Sequence, residues 1–213
     1  VLNFEEIKFQ KHKRPKKEIL IEVQYAFRFI NRSLLFTLYD FFNFIWQLNI
    51  RGLFNQILVL LRIKKDPFDS FEFWEEWFAS SSINPKIFFL FSKSSSYQST
   101  VSIFNLKFKK IIKKAADFYT LGVLASIKAQ LNPETQLFRE KNDFQALTHR
   151  AVSIVRLSNG LRDIKKDYGS LADFEFISDY SMGYFDRMGY RASTATLFYF
   201  YDVSNEFQLP LKV

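Results

Sequence analysis

The chain contains no cysteine, and its 213 residues include only six glycines and five prolines. The absence of cysteine excludes disulfide bonds and thiolate metal sites. Few turn-forming residues together with long apolar runs favour helices over many short strands. The sequence also lacks an internal repeat, a glycine-rich phosphate loop and a nucleophile elbow, so the common motifs of nucleotide binding and serine hydrolysis are missing.

Aromatic residues are abundant instead: 27 Phe, 10 Tyr and 3 Trp, within a composition that is 48% hydrophobic. This length and apolar content suit one domain with a sizeable core. We predict an all-α fold, a single helical bundle over residues 18–213, preceded by a basic N-terminal arm over residues 1–17. The arm contains the run KFQKHKRPKK at 8–17, which is either a solvated tail or a contact with protein partners, phosphate or a membrane surface.

The formal net charge of +8 would attract anions such as nucleic acid, acidic lipid head groups or phosphorylated small molecules. Nucleic acid is disfavoured because the basic runs are short and scattered, and no recognised binding motif frames them. The chain shows no secretory signal pattern. We expect a reducing compartment or an organelle interior, with attachment to a membrane periphery as an alternative.

Residues 18–63 are the most apolar part of the chain. A membrane span needs roughly 20 apolar residues with few charges. Polar and charged residues break this stretch repeatedly, among them Arg28, Arg32, Asp40 and Arg51. We therefore predict two buried helices broken near Asn49–Gly52, with a pair of helices lying on a membrane surface as the alternative.

Helical patterns extend further along the chain. Asp66 is a candidate N-cap with Pro67 in the first helical turn. Helical periodicity covers residues 103–131 and includes the basic patch KFKKIIKK at 107–114. Asn132 and Pro133 suit a helix break and restart. The aromatic tail is predicted to be helical from residue 171 to Val203.

The stretch IVRLSNGLRDIKKDYGS at 154–170 carries the most specific pattern. As part of a helix over residues 143–168 closed by Gly169, it would place Asn159, Asp163 and Asp167 on one side, because four-residue steps drift by only about 40°. Arg156 would lie on that side too. Oxygen ligands of this kind suit Mg²⁺ shared with a substrate's phosphates.

Two features of this helix are unfavourable for its stability and suggest selection for a site. Asp163 and Asp167 are like charges four residues apart, and Gly160 in a helix costs about 1 kcal/mol relative to alanine. The alternative is an ordinary solvated helix side on which Lys165 and Lys166 neutralise the aspartates.

The string VRLSNGLRDIKKD resembles the second metal motif of class I terpene synthases, and NGLRDIKKD resembles the second aspartate-rich motif of squalene and phytoene synthases. The resemblance implies an all-helical fold, Mg²⁺ held by Asn159, Asp163 and Asp167, and a diphosphate-facing Lys166. Lys113 stands where the family has its diphosphate-sensing arginine, and Arg156 belongs to the same diphosphate set. Asp40, in LYDFFNFIW, is the candidate for the first metal motif.

From this resemblance we predict a terpene-synthase-like helical protein that binds a prenyl diphosphate through Mg²⁺. Its activity would be ionisation or cyclisation of an isoprenoid diphosphate, as a lyase or transferase, with aromatic residues stabilising carbocations. With a first motif reduced to one carboxylate it would be a degenerate member. The alternative is a non-catalytic, aromatic-rich helical subunit of a membrane-associated or organellar complex.

Overall fold

The structure is a computed structural model that describes residues 18–30, 32, 34–81, 83–93, 95, 98, 100–184 and 187–213. The predicted basic arm at 1–17 lies outside the described residues. The fold is α/β and not all-α, because a seven-stranded mixed sheet runs through the described part of the chain. The prediction of a helical bundle was therefore wrong.

Helices and strands alternate along much of the chain. The strands are β1 (Leu20–Val23), β2 (Lys86–Phe89), β3 (Thr120–Ala125), β4 (Ile154–Leu157), β5 (Ser178–Asp179), β6 (Tyr199–Asp202) and β7 (Phe207–Lys212). The helices are α1 (Leu34–Trp46), α2 (Ile50–Leu60), α3 (Phe71–Ser81), α4 (Leu106–Phe118), α5 (Ile127–Leu131), α6 (Phe138–Thr148) and α7 (Ile164–Asp173), with a π-helix at Pro133–Leu137. The strand order is β1-β2-β3-β4-β5-β7-β6. All neighbours pair in parallel except β6 and β7.

The central strands carry almost no alternation of polar and apolar residues. β2 and β3 are buried along most of their length, and Phe88, Phe89 and Leu124 are almost fully inaccessible. Strands of parallel sheets are covered on both faces, so they form continuous apolar runs. Such runs cannot be told from buried helix segments by periodicity, which is why these strands were predicted as helices or left unassigned.

Side chains on one face of the sheet reach across it. Arg156 of β4 forms an ion pair with Glu22 of β1, and Gln24 Nε2 donates to the Ser158 carbonyl at 3.1 Å. Strands β2 and β3 lie between β1 and β4 in the sheet. These contacts therefore require the sheet to curl, so that this face becomes a concave interior. Phe88, Leu90 and Leu124 fill that interior together with partly buried Ile154 and Tyr180.

The convex face of the sheet carries the larger core. Phe108 and Ile112 of α4, Phe144 of α6 and Leu171 of α7 pack in one buried cluster with residues of β2, β3, β4 and β7. The spacing of Phe108 and Ile112 on α4 gives it one apolar side and one lysine-rich side. This packing fixes the helices whose ends surround the site described below.

The helix pair predicted over residues 18–63 exists only from Leu34 onward, because Leu20–Val23 form β1. Its break is at Asn49, whose side chain accepts from Gly52 N at 2.8 Å to cap α2. The prediction that both helices are buried was wrong, because α1 has no buried residue. Within the described residues, none of the helices combines the length and the apolar character needed to cross a bilayer.

Two further local predictions also failed. Asp66 does not cap a helix, since α3 begins at Phe71. Its buried carboxylate accepts hydrogen bonds from the backbone N–H groups of Arg28, Phe29 and Ile30, which follow β1. The aromatic tail forms β5, β6 and β7 instead of a helix.

Candidate functional site: a cleft between α5 and α7

The segment with the predicted metal motif is a strand, a turn and a helix. α6 ends at Thr148, where His149 adopts a left-handed conformation, and β4 and α7 follow separately. Val155 and Leu157 of β4 are buried, in alternation with partly buried neighbours. Gly160 has φ 66° in the turn, a conformation that favours glycine. The glycine therefore serves a turn, and the predicted shared helix side does not exist.

The predicted site residues lie in different parts of the fold. Arg156 is on β4 and pairs with Glu22, whereas Asn159 is exposed in the turn that follows. Asp40 lies on α1 in an ion pair with Arg32, with 2.7 Å between Arg32 NH1 and Asp40 Oδ2. Lys113 is exposed on α4.

Asp163 and Asp167 form a reciprocal cap at the start of α7. Asp163 is the N-cap and accepts from Lys166 N at 3.3 Å. Asp167 Oδ2 accepts from Arg162 N at 2.8 Å and from Asp163 N at 3.1 Å. Each carboxylate thus satisfies backbone donors that a helix start leaves unpaired, and both benefit from the positive end of the helix dipole. Helix capping accounts for the spacing of the two aspartates.

Of the seven predicted residues, Lys166 and Asp167 line one cleft of about 350 Å³, and the other five do not line it. The cleft lies at the carboxyl ends of β3 and β4, between α5 and the π-helix on one side and α7 on the other. Ala125 and Leu157 are the final residues of those two strands. Ligands of parallel α/β sheets bind at this edge. Its wall is apolar on the side of α5, the π-helix and β4: Leu131, Pro133, Leu137 and Leu157.

The opposite side of the cleft is polar and carries Lys166, Asp167, Ser170 and Asp173. The Asp173 carboxylate makes no hydrogen bond or ion pair with any other described residue. Gln130 also lines the cleft, and its Nε2 donates to the Gly160 carbonyl at 2.8 Å. Its Oε1 is shielded from solvent and accepts no hydrogen bond within the described chain.

A buried polar cluster, which the sequence did not indicate, joins the segments that form the cleft. The Glu140 carboxylate accepts from Ser92 Oγ at 2.6 Å, from Ser126 Oγ at 2.5 Å and from Gln136 Nε2 at 3.1 Å. It also accepts from Ser126 N at 3.0 Å. These bonds tie the segments after β2 and β3 to α6 and the π-helix. They position α5, whose N-cap is Ser126.

A second buried carboxylate, Asp179, lies at the end of β5. It accepts from Ser181 N at 2.8 Å, from Ser181 Oγ at 2.5 Å and from Tyr168 Oη at 3.3 Å. Burial raises the pKa of Asp179 to about 6, although these hydrogen bonds favour its charged form. The pKa of the Tyr168 hydroxyl is also raised, first by burial and then by the charge of Asp179. Isolated serine, aspartate and tyrosine residues in the sequence give no sign of this cluster.

Comparisons with known proteins bear on the fold. No family model and no curated protein matches the chain. The crystal structure of a "putative polysaccharide deacetylase" from Mycobacterium smegmatis superposes with a TM-score of 0.52 at 9% sequence identity. The match covers 92% of this chain and 56% of that one, so the chain spans little more than half of the matched protein. At this identity the similarity establishes the fold alone.

The terpene synthase interpretation was wrong, because it required an all-helical fold and the chain has the α/β fold of this neighbour. The isoprenoid diphosphate function and the alternative of a helical subunit fail for the same reason. The binding of Mg²⁺ stays a prediction. Among the described residues, no group of three or more His, Cys, Asp or Glu side chains is arranged to hold a metal ion.

Proposed function

We propose that the chain is a deacetylase-like domain that binds an acetylated saccharide in the cleft between α5 and α7. The observation that carries this proposal is the exposed Asp173 carboxylate, which lies opposite an apolar wall and has no hydrogen-bond or ion-pair partner among the described residues. Saccharides have the matching chemistry, since each ring offers hydroxyl donors and apolar C–H faces. The likeness to a putative polysaccharide deacetylase supports the same class of ligand.

The polar groups of the cleft suit the parts of an acetylated sugar. Asp173 would accept hydrogen bonds from ring hydroxyls, and charge-assisted bonds of this type are stronger than neutral ones. The Lys166 ammonium, on the polar side of the cleft, would donate a hydrogen bond to the acetyl carbonyl. Leu131 and Leu137 would contact the apolar ring face. A volume of about 350 Å³ suits a short segment of a saccharide chain.

Calorimetric titration with short soluble oligosaccharides of N-acetylglucosamine tests this proposal. Replacing Asp173→Ala is expected to weaken binding about 10- to 100-fold, because a charged acceptor is lost. Asp143→Ala on α6, which removes a carboxylate that does not line the cleft, is the matched control and should retain the wild-type affinity. Absence of binding to the wild type, or equal weakening by both variants, would contradict the proposal.

Acetate release in the same mixtures distinguishes binding from turnover. Binding without acetate supports a recognition domain. Acetate release that Asp173→Ala abolishes would place hydrolysis in this cleft and extend the proposal to catalysis. Acetate release unaffected by Asp173→Ala would place the saccharide elsewhere on the chain and overturn the assignment of the cleft.

A further inference from the structure

The α1–α2 hairpin exposes many large apolar side chains to solvent, which together are called its apolar surface. On α1, Leu38, Phe42 and Trp46 follow at four-residue steps, and Trp46 is 89% exposed. Leu48, in the turn between the helices, is 83% exposed. On α2, Phe54 extends the surface and is 62% exposed. Large exposed apolar side chains concentrated on one pair of helices are the mark of an interaction surface.

The opposite side of the hairpin packs against the rest of the chain, which fixes the exposed side. The Phe44 ring stacks edge-to-face with Phe29, 6.3 Å between centroids. Gln56 Nε2 donates to the Thr37 carbonyl at 2.9 Å and joins the two helices. Val59 is buried. The apolar surface is therefore a stable outward face of two docked helices.

The charges that accompany this surface are of one sign. Between residues 34 and 65 the only acidic residue is Asp40, and Arg32 neutralises it in a mostly buried ion pair. Arg51 and Arg62 are exposed, and within the described chain neither has an acidic partner. Lys64 adds a further exposed cation near the end of α2. A partner must therefore combine apolar groups with negative charge.

Helix length restricts the geometry of the contact. α1 has 13 residues and α2 has 11, whereas a span needs roughly 20. Short helices with aromatic and aliphatic residues on one side and basic residues at the border lie in the plane of a bilayer interface. Trp46 and Tyr39 are of the type that concentrates at that interface.

We propose that the α1–α2 hairpin attaches this chain to the surface of a membrane containing acidic lipids. Leu38, Phe42, Trp46 and Phe54 would enter the interface while Arg51 and Arg62 contact lipid phosphates. This inference is independent of the saccharide cleft, which lies between other helices. It gives a domain held at a lipid surface with a separate binding site.

Flotation with vesicles tests this attachment. The chain is expected to float with phosphatidylcholine vesicles that contain about 30% phosphatidylglycerol and to bind vesicles of phosphatidylcholine alone much more weakly. Arg51→Gln with Arg62→Gln should lower the partition coefficient about 30-fold, because each basic residue contributes about 1 kcal/mol at an acidic surface. The matched control is Lys110→Gln with Lys113→Gln on α4, which should leave the partition coefficient unchanged.

Substitution of the apolar face gives a second measurement. Leu38→Ser with Phe42→Ser should abolish flotation, while circular dichroism verifies that the variant is folded. Phe73→Ser on α3, which removes an exposed aromatic outside the hairpin, is the control. Equal binding to both kinds of vesicle, or no binding to either, would overturn the proposal. So would a dimer in lipid-free solution that the paired serine variant makes monomeric, because the occupant would then be a second copy.

Discussion

Gly122 of β3 faces the concave interior of the sheet, where a side chain would have no space. A Cβ built on it would lie 2.5 Å from two carbons of the Phe88 ring and 2.9 Å from Ile154 Cγ1. Contacts this short force neighbouring groups to move in a close-packed interior. The glycine that breaks the run TLGVLA is therefore a packing requirement of the curled sheet.

We expect Gly122→Ala to lower the free energy of unfolding by about 1–3 kcal/mol, measured by urea denaturation. Gly169→Ala is the matched control, since Gly169 lies within α7 with nothing within 4 Å of a built Cβ. That change should raise stability by about 0.5–1 kcal/mol. In the double variant Gly122→Ala with Phe88→Leu, a smaller side chain replaces the opposing ring, and part of the lost stability should be recovered. An unchanged free energy of unfolding in Gly122→Ala would show that the interior has room for the added methyl group.

Asp179 makes stability depend on pH in a direction opposite to that of most carboxylates. Its pKa rises from an ordinary value of 3.8 to about 6 because it is buried. Between about pH 4 and pH 6 the folded chain therefore retains a proton that the unfolded chain has lost. Over this range the contribution of Asp179 to the free energy of unfolding therefore falls as the pH rises.

Comparison with Asp179→Asn isolates this effect, because other titrating groups cancel in the difference. The stability of the wild type relative to the variant should be greatest near pH 4 and smaller by about 1–3 kcal/mol at pH 7. Thermal or urea unfolding at a series of pH values provides the measurement. A difference that does not change with pH, or that grows toward pH 7, would contradict a raised pKa.

At the scale of the elements, α7 shows why a helix start was mistaken for a ligand set. N-capping and Mg²⁺ coordination both use short oxygen-bearing side chains at close spacing. The sequence contained the correct residues, and Asp163 and Asp167 do act together. What it could not show was that β4 and the turn at Gly160 separate them from Arg156, since a short buried strand has the same apolar pattern as a helix.

Asp163→Ala is expected to lower the free energy of unfolding by about 1 kcal/mol, whereas Asp163→Asn should preserve it within a few tenths, because asparagine caps as well as aspartate.

Addition of Mg²⁺ to the wild type and to Asp163→Asn distinguishes capping from the predicted metal site. If the ion binds these carboxylates, it raises the melting temperature of the wild type more than that of the asparagine variant. Equal melting temperatures with and without Mg²⁺ would reject the metal prediction and leave capping as the role.

The length of each helix or strand explains which of them the sequence predicted. α1 and α2 were identified, with their break, because both are apolar over several turns and polar residues near Asn49 separate them. β2 and β4 span four residues each and β5 spans two, too short for a periodic signal. Two of the polar residues that line the cleft, Lys166 and Asp167, came from the motif. Gln130 and Asp173 join them only through tertiary packing.

At the scale of the whole molecule, the Glu22–Arg156 pair joins the first strand to the fourth across the interior. Its side chains are 23% and 15% exposed, and Arg156 also donates to the Tyr180 carbonyl. Loss of one partner of such a mostly buried pair strongly destabilises the folded protein, because the remaining buried charge then has no opposite charge beside it. Loss of both partners to apolar groups is tolerated far better.

We therefore expect Arg156→Met to lower the free energy of unfolding by about 2–4 kcal/mol. The double variant Glu22→Leu with Arg156→Met should be more stable than Arg156→Met alone, with a coupling energy of about 1–3 kcal/mol. Urea denaturation of the wild type, both single variants and the double variant completes the cycle. Glu72→Ala, which breaks an exposed pair with Lys65 on the surface, is the control and should leave stability unchanged within error. If the two buried substitutions are additive, β1 and β4 are not coupled across the interior, and the sheet is flatter than the contacts of Glu22 and Gln24 require.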